Sequence, residues 1–151
     1  MRLSLYIIVR KLLIFRYSCV RTKFSWREYY LPTTLQLSSS LEVLLAPVGF
    51  SSSREKIKLG LQEALVNAVR HGNQGDPNKS LRVRCIITPK WVIWQIQDEG
   101  KGLAPEARKS SLPSHVDANS GRGLFMIHQC FDDVRWSRKG NRLQVGFNRI
   151  V

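Results

Sequence analysis

The amino-acid sequence predicts an α+β fold, a two-layer α/β sandwich in which a mixed, largely antiparallel sheet carries helices on one face. Three stretches lead to this. Residues 81–97 form two strand-like runs on either side of Pro89-Lys90, each with one wholly apolar face, as a hairpin over a core has. Residues 54–71 form an amphipathic helical window long enough to cover such a sheet. Residues 134–150 hold two short strand-like runs around Lys139-Gly140-Asn141. A length of 151 residues with 43% hydrophobic content suits one compact core, and no repeat or second domain is visible.

In chain order, residues 33–37 read as a first strand, and Ser38-Ser39-Ser40 then offer capping hydroxyls for a helix over 41–46. Ser51-Ser52-Ser53 do the same for the long helix over 54–71, which Gly72 stops. Gly75-Asp76-Pro77-Asn78 is a turn cluster. In the hairpin, Leu81, Val83, Cys85 and Ile87 share one face of the first strand. Val92, Trp94, Ile96 and Asp98 share one face of the second. Residues 103–120, with Pro105, Pro113, His115 and several serines, suit a mobile lid, with one or two helical turns at 104–108. Residues 124–131 form the last helix, and strands over 134–137 and 143–150 close the sheet.

Three motifs lie on these elements. On the long helix, Glu63, Asn67 and His71 fall at i, i+4 and i+8, one polar stripe beside the apolar Ala64, Leu65 and Ala68. By itself the stripe reads equally as a solvated helix face or as a site. The second motif is Asp98-Glu99-Gly100-Lys101-Gly102, directly after a strand, which alone reads as an Asx-turn. The third, Gly121-Arg122-Gly123-Leu124, opens a helix whose first amides are unsatisfied and favour an anion. Neither glycine cluster fits the dinucleotide fingerprint, because Pro105 and Met126 stand where its third glycine belongs. No Gly-Lys-Ser/Thr triplet is present for a P-loop.

Taken in this order, the motifs resemble those of the GHKL (Bergerat-fold) ATPases, which include gyrase-type, chaperone and histidine-kinase ATP-binding domains. Asn67-Ala-Val-Arg-His71-Gly72, Gly121-Arg-Gly-Leu-Phe-Met-Ile127 and Phe131-Asp132-Asp133-Val134 are similar, within that group, to the bacterial anti-sigma-factor serine kinases. The resemblance covers residues 35–151. It implies ATP with Mg²⁺, Asn67 as the metal ligand and Glu63 as the general base. Both roles suit the residue types: a carboxamide oxygen is a hard donor of the kind Mg²⁺ takes beside phosphates and waters, and a carboxylate one turn away can accept a proton. In the family the Asp at the place of Asp98 contacts the adenine amine, and a carboxylate ending an apolar row does need a donor. Gly100 and Gly102 would let backbone pass close to the base, and Gly121, Arg122, Gly123 and Leu124 would cradle phosphate. His71 beside Gly72 reads as a helix-end residue, His115 as a solvated loop residue, and Lys101 as a surface charge within reach of phosphate.

The resemblance further implies a sigma factor and an anti-anti-sigma antagonist as partners, transfer of phosphate to a serine or threonine of the antagonist, and a homodimer; cysteine usage points to a reducing, cytoplasmic setting. An ATP-gated binding module without transfer is the second reading. A histidine-kinase ATPase domain is the third, disfavoured because no phosphoacceptor hairpin precedes it. A nucleic-acid binder lacks the aromatic signature of RNA readers. Cys19, Cys85 and Cys130 have no metal-ligand spacing, and a reducing compartment suits them. The net charge of +13 is uneven: residues 1–30 hold seven basic residues and one acid, residues 31–151 seventeen and ten. Residues 1–32 therefore read as a basic extension ahead of an ATP-binding domain over 33–151. Three accounts of the extension stand: a flexible tail, an amphipathic partner- or membrane-surface helix, or an upstream start not used natively. Its apolar run over residues 3–9 is too short to span a bilayer.

Overall fold

The computed structural model describes residues 7–9, 12–18, 24–49, 51–108 and 122–150. Seven strands form one sheet: β1 (Ile7–Val9), β2 (Leu12–Ser18), β3 (Ser25–Pro32), β4 (Ser80–Ile87), β5 (Trp91–Gln97), β6 (Asp133–Trp136) and β7 (Arg142–Asn148). Their spatial order is β1-β2-β3-β4-β5-β7-β6, and every pairing among the described residues is antiparallel. Helices α1 (Ser38–Leu45), α2 (Arg54–Asn67) and α3 (Arg122–Cys130) pack on one face. The predicted sandwich is the one observed; the expected parallel component of the sheet is absent among the described residues.

Hairpin β4–β5 follows its alternation. Leu81, Val83, Cys85, Val92, Trp94 and Ile96 are buried beneath the helices, and the residues between them are half-buried on the other face. Thr88 closes the turn, accepting the Trp91 amide at its hydroxyl (2.8 Å) while its own amide donates to the Trp91 carbonyl (2.8 Å). Ile57, Leu61, Ala64 and Leu65 of α2 meet this face at helical spacing. Trp94 anchors the layers together. Its indole donates to the Leu44 carbonyl at 3.0 Å, and its ring lies 6.0 Å from that of Phe131 in a tilted pair.

The first strand of the domain differs from expectation. Residues 33–37 are a connector, and the strand is β3, inside what the sequence marked as a basic extension. Tyr29 and Leu31 are 1% and 2% exposed, so the domain's packed sheet begins before residue 33. Charge hid this strand. Glu28 stands opposite Arg84 and takes ion pairs from both Arg82 and Arg84 (3.2 Å to the latter), so these charges satisfy one another on the open face. Backbone strands β1 and β2 extend the sheet beyond β3, where a tail or a helix had been expected. Of the serines expected to cap, Ser53 does stand at the N-cap of α2, whereas Leu37 takes that position in α1. Ser38–Ser40 are the first turn of α1, and neither α1 nor α2 has a side-chain cap bond.

Cys85 and Cys130 are buried, as small apolar residues would be, and burial pushes the Cys85 thiol up to about 12. Cys19 lies outside the described residues. Among the described residues no helix is long and apolar enough to cross a membrane.

Candidate functional site

Helices α2 and α3 run antiparallel and unusually close. A Cβ on Gly60 would fall 2.6 Å from Cys130 Cβ, and one on Gly123 would fall 3.1 Å from Glu63 Oε2 and 3.3 Å from Asn67 Nδ2. Seven residues along each helix therefore separate a packing contact from a polar one. The absent side chain of Gly123 leaves the Glu63 carboxylate and Asn67 carboxamide facing the first turn of α3, whose amides lack helical partners. Arg122 is exposed at the start of that turn, and Leu124 is half-buried against the core. Gly121 lies outside the described residues.

The polar stripe does not run on evenly. Regular α-helix stops at Asn67, and Ala68–Gly72 is a π-turn in which the Asn73 amide donates to the Ala68 carbonyl at 2.8 Å. His71 lies in this wider turn; it is exposed and stands at the rim of the cavity that Asn67 and Gly72 also line. Gln74 then takes a left-handed backbone (φ 58°), as does Gly75.

This turn carries Gly72 onto Asp98. A Cβ on Gly72 would lie 2.6 Å from Asp98 Oδ2, and the Gly72 carbonyl itself lies where a side chain on Gly100 would be. Asp98 Oδ1 accepts the Gly100 amide at 2.8 Å, and burial raises the Asp98 carboxyl above its ordinary range, against the pull of that amide and of Lys139 and Lys79. Gly102, at φ 90°, lies against the Lys139 carbonyl, a conformation and a closeness no side chain allows. Gly72→Ala is accordingly expected to destabilise the protein by about 1–3 kcal/mol, the usual effect of overpacking, and to displace Asp98. Thermal unfolding checks the first part; an unchanged melting temperature would show that the contact gives way freely.

Asn67, Gly72, Asp98, Gly102 and Gly123 all line one cavity of about 500 Å³, in the range of small-molecule sites. Leu103, Leu124, Trp136 and Leu143 supply apolar walls, and Lys101 stands at its exposed edge. Arg108, in a short 3-10 turn at Pro105–Arg108, donates to the carbonyls of Leu103 (2.7 Å), Ser137 (3.2 Å) and Arg138 (3.1 Å). It ties the root of the expected lid to the β6–β7 turn. The rest of that segment, His115 included, lies outside the described residues.

Three residues that sequence reasoning passed over are part of this region: Trp136, Arg108 and Asn73. Alternation along β6 does put Val134 and Trp136 on the inner face, but only the strand order brings Trp136 to the cavity. Trp91 and Trp94, expected near the site, are not cavity walls: Trp94 is in the core, and Trp91 packs by Gly146 on the open face.

A nucleotide with its cation fits these groups. The Asn67 carboxamide and Glu63 carboxylate offer hard oxygens beside the open helix start, and Mg²⁺ needs few from the protein when phosphates supply others. No cluster of three His, Cys, Asp or Glu suited to an all-protein metal cage occurs among the described residues.

A family model described as a histidine kinase-like ATPase domain matches residues 33–147. The serine-protein kinase RsbW of Listeria monocytogenes serotype 4a (strain HCC23) is 29% identical over 104 residues, 64% of this chain and 66% of that protein. The anti-sigma F factor of Geobacillus sp. (strain WCH70) is 33% identical over 82 residues, 52% of this chain and 56% of that protein. The chain thus spans just under two thirds of the length of the RsbW relative and less of the anti-sigma F factor.

Proposed function

The chain belongs to the histidine kinase-like ATPase domain family, and on that premise we propose that it is an ATP-dependent anti-sigma regulator. It sequesters a sigma factor, and with Mg-ATP it phosphorylates a serine or threonine of an anti-anti-sigma antagonist. The observation that carries this reading is the meeting of Glu63, Asn67 and Gly123 beside a cavity that Asp98 also lines. The names of the two relatives, a serine-protein kinase and an anti-sigma factor, support the same reading.

Each residue has a defined task. The Asp98 carboxylate accepts a hydrogen bond from the adenine amine, and the turn through Gly100 and Gly102 lets backbone approach the base. The first amides of α3, at Arg122, Gly123 and Leu124, take phosphate oxygens, with Gly121 just before them. Asn67 would hold Mg²⁺, which when bound would offset the negative charge of the phosphates. Glu63 accepts the proton of the antagonist hydroxyl as its oxygen bonds to the γ-phosphorus and the bond to the bridging oxygen of ADP breaks. The protein works in the cytoplasm as a homodimer.

The test pairs binding with transfer. Labelled ATP, Mg²⁺ and the antagonist should yield label on an antagonist serine or threonine. ATP should also change the tryptophan emission, and Trp136→Phe should abolish most of that change while Trp91→Phe keeps it. ATP binding with no label on any antagonist replaces the kinase by an ATP-gated binding module. No response to ATP at all ends the nucleotide reading.

A further inference from the structure

Asn73 is 0% exposed, one of the few fully buried polar side chains described, and no part of the proposed chemistry uses it. Its position depends on the π-turn, whose last hydrogen bond runs from the Asn73 amide to the Ala68 carbonyl. From there the carboxamide bonds in three directions. Nδ2 donates to the Ser80 carbonyl (3.0 Å) at the start of β4 and to Thr33 Oγ1 (2.9 Å) in the connector after β3. Oδ1 accepts the Glu99 amide at 2.8 Å. Thr33 Oγ1 in turn donates a hydrogen bond to the Lys79 carbonyl (2.7 Å), so the network has a defined direction.

The Glu99 amide belongs to the same peptide unit as the Asp98 carbonyl. That carbonyl accepts Asn141 Nδ2 at 3.2 Å, while the Asp98 amide donates to the Asn141 carbonyl at 3.0 Å. One peptide plane is thus held from two sides, by Asn73 from the helix layer and by Asn141 from the strand layer. A peptide held at both its N–H and its C=O cannot rotate about the Asp98 Cα–C bond, and this sets where the Asp98 side chain leaves the backbone. A buried carboxamide with its oxygen and both amino hydrogens engaged is rigid, because any rotation leaves polar atoms unpaired.

We propose that Asn73 is a positioning residue for base recognition: through the Glu99 amide it aims the Asp98 carboxylate at the purine 6-position. The inference rests on the nucleotide reading of the cavity and adds the residue that sets its selectivity. A purine with a 6-amino group donates to a carboxylate held there, whereas one with a 6-oxo group presents an acceptor and is repelled. If Asp98 is free to turn away, that discrimination falls.

The experiment measures dissociation constants of ATP and GTP for the wild type, Asn73→Leu, Asn73→Asp and Thr33→Val, well below each melting temperature. Asn73→Leu is expected to cut the ATP-over-GTP preference by about tenfold, the loss of one well-aimed hydrogen bond to a charged group. Asn73→Asp keeps an acceptor for the Glu99 amide and is expected to retain most of the preference. Thr33→Val loses only the far arm, so it should lower stability and leave the preference unchanged. If Asn73→Leu lowers the melting temperature but keeps the wild-type preference, Asn73 is a structural residue and the proposal is overturned. A wild type that binds neither nucleotide overturns the nucleotide reading itself, and this inference with it. Should Asn73→Leu fail to fold, hydrogen exchange on the wild type decides: a Glu99 amide that exchanges as fast as an unstructured one overturns the proposal, and a strongly slowed one supports it.

Discussion

Glu63→Gln is expected to lower phosphoryl transfer to the antagonist by about 10²–10⁴-fold, the range of a lost general base, while ATP binds nearly as before. The substitution keeps the size and reach of the side chain and removes only its ability to accept a proton. Glu63 also sits beside Asn67 at the open flank of Gly123, where a glutamine fits without new contacts. Single-turnover labelling of the antagonist measures the transfer, and Trp136 emission measures the binding. Equal labelling by wild type and variant would remove Glu63 from the chemistry. Loss of binding along with transfer would instead give Glu63 a role in holding the nucleotide.

Asp98→Asn is expected to weaken ATP binding by about 10–100-fold and, in the same protein, to leave the free fold as stable or more so. A hydrogen bond to a charged acceptor contributes about 1.5–3 kcal/mol, and the asparagine presents a weaker acceptor in its place. The fold gains because burial holds the Asp98 carboxyl above its ordinary range. A carboxyl raised in the folded state binds its proton more tightly there than in the unfolded chain. Its contribution is therefore fully present below the ordinary carboxylate range and is lost as pH rises through the raised value. The wild type should show that decline from the ordinary carboxylate range upward, and Asp98→Asn should lack it. ATP affinity should move the opposite way over the same window, rising with pH as Asp98 ionises. Thermal unfolding with and without ATP across that window checks both signs, and an ATP affinity that falls as Asp98 ionises would sink the adenine assignment.

Gly72 and Asn73 show why the local motif understates this site. The helix that carries Glu63 and Asn67 is plain from its period, yet its end is a π-turn, and that turn sends Gly72 against Asp98 and Asn73 under Glu99. A π-turn differs from the end of an α-helix by one residue in the span of its hydrogen bond, here Asn73 to Ala68, which the period of the apolar residues does not reveal. Asn73 in a helix-ending, turn-rich stretch reads as a solvated turn residue until Thr33, Ser80 and Glu99 close around it. All three partners are distant in sequence or come from another element.

By itself, the sequence determined the features that depend on near neighbours: the hairpin from its alternation, the long helix from its period, the turn at Gly140 and the residue types of the motifs. It also determined the two-layer class, since an amphipathic helix and a half-buried sheet can each bury its apolar side only against the other. Tertiary structure alone decided that Ser25–Pro32 is a strand of the sheet rather than part of a basic tail, because Glu28 is neutralised by Arg82 and Arg84 from a strand more than fifty residues away. It likewise decided that Trp136, and neither Trp91 nor Trp94, faces the cavity. Strand order and cross-strand charge pairing join residues that are far apart along the chain, and local composition carries no record of which of them will meet.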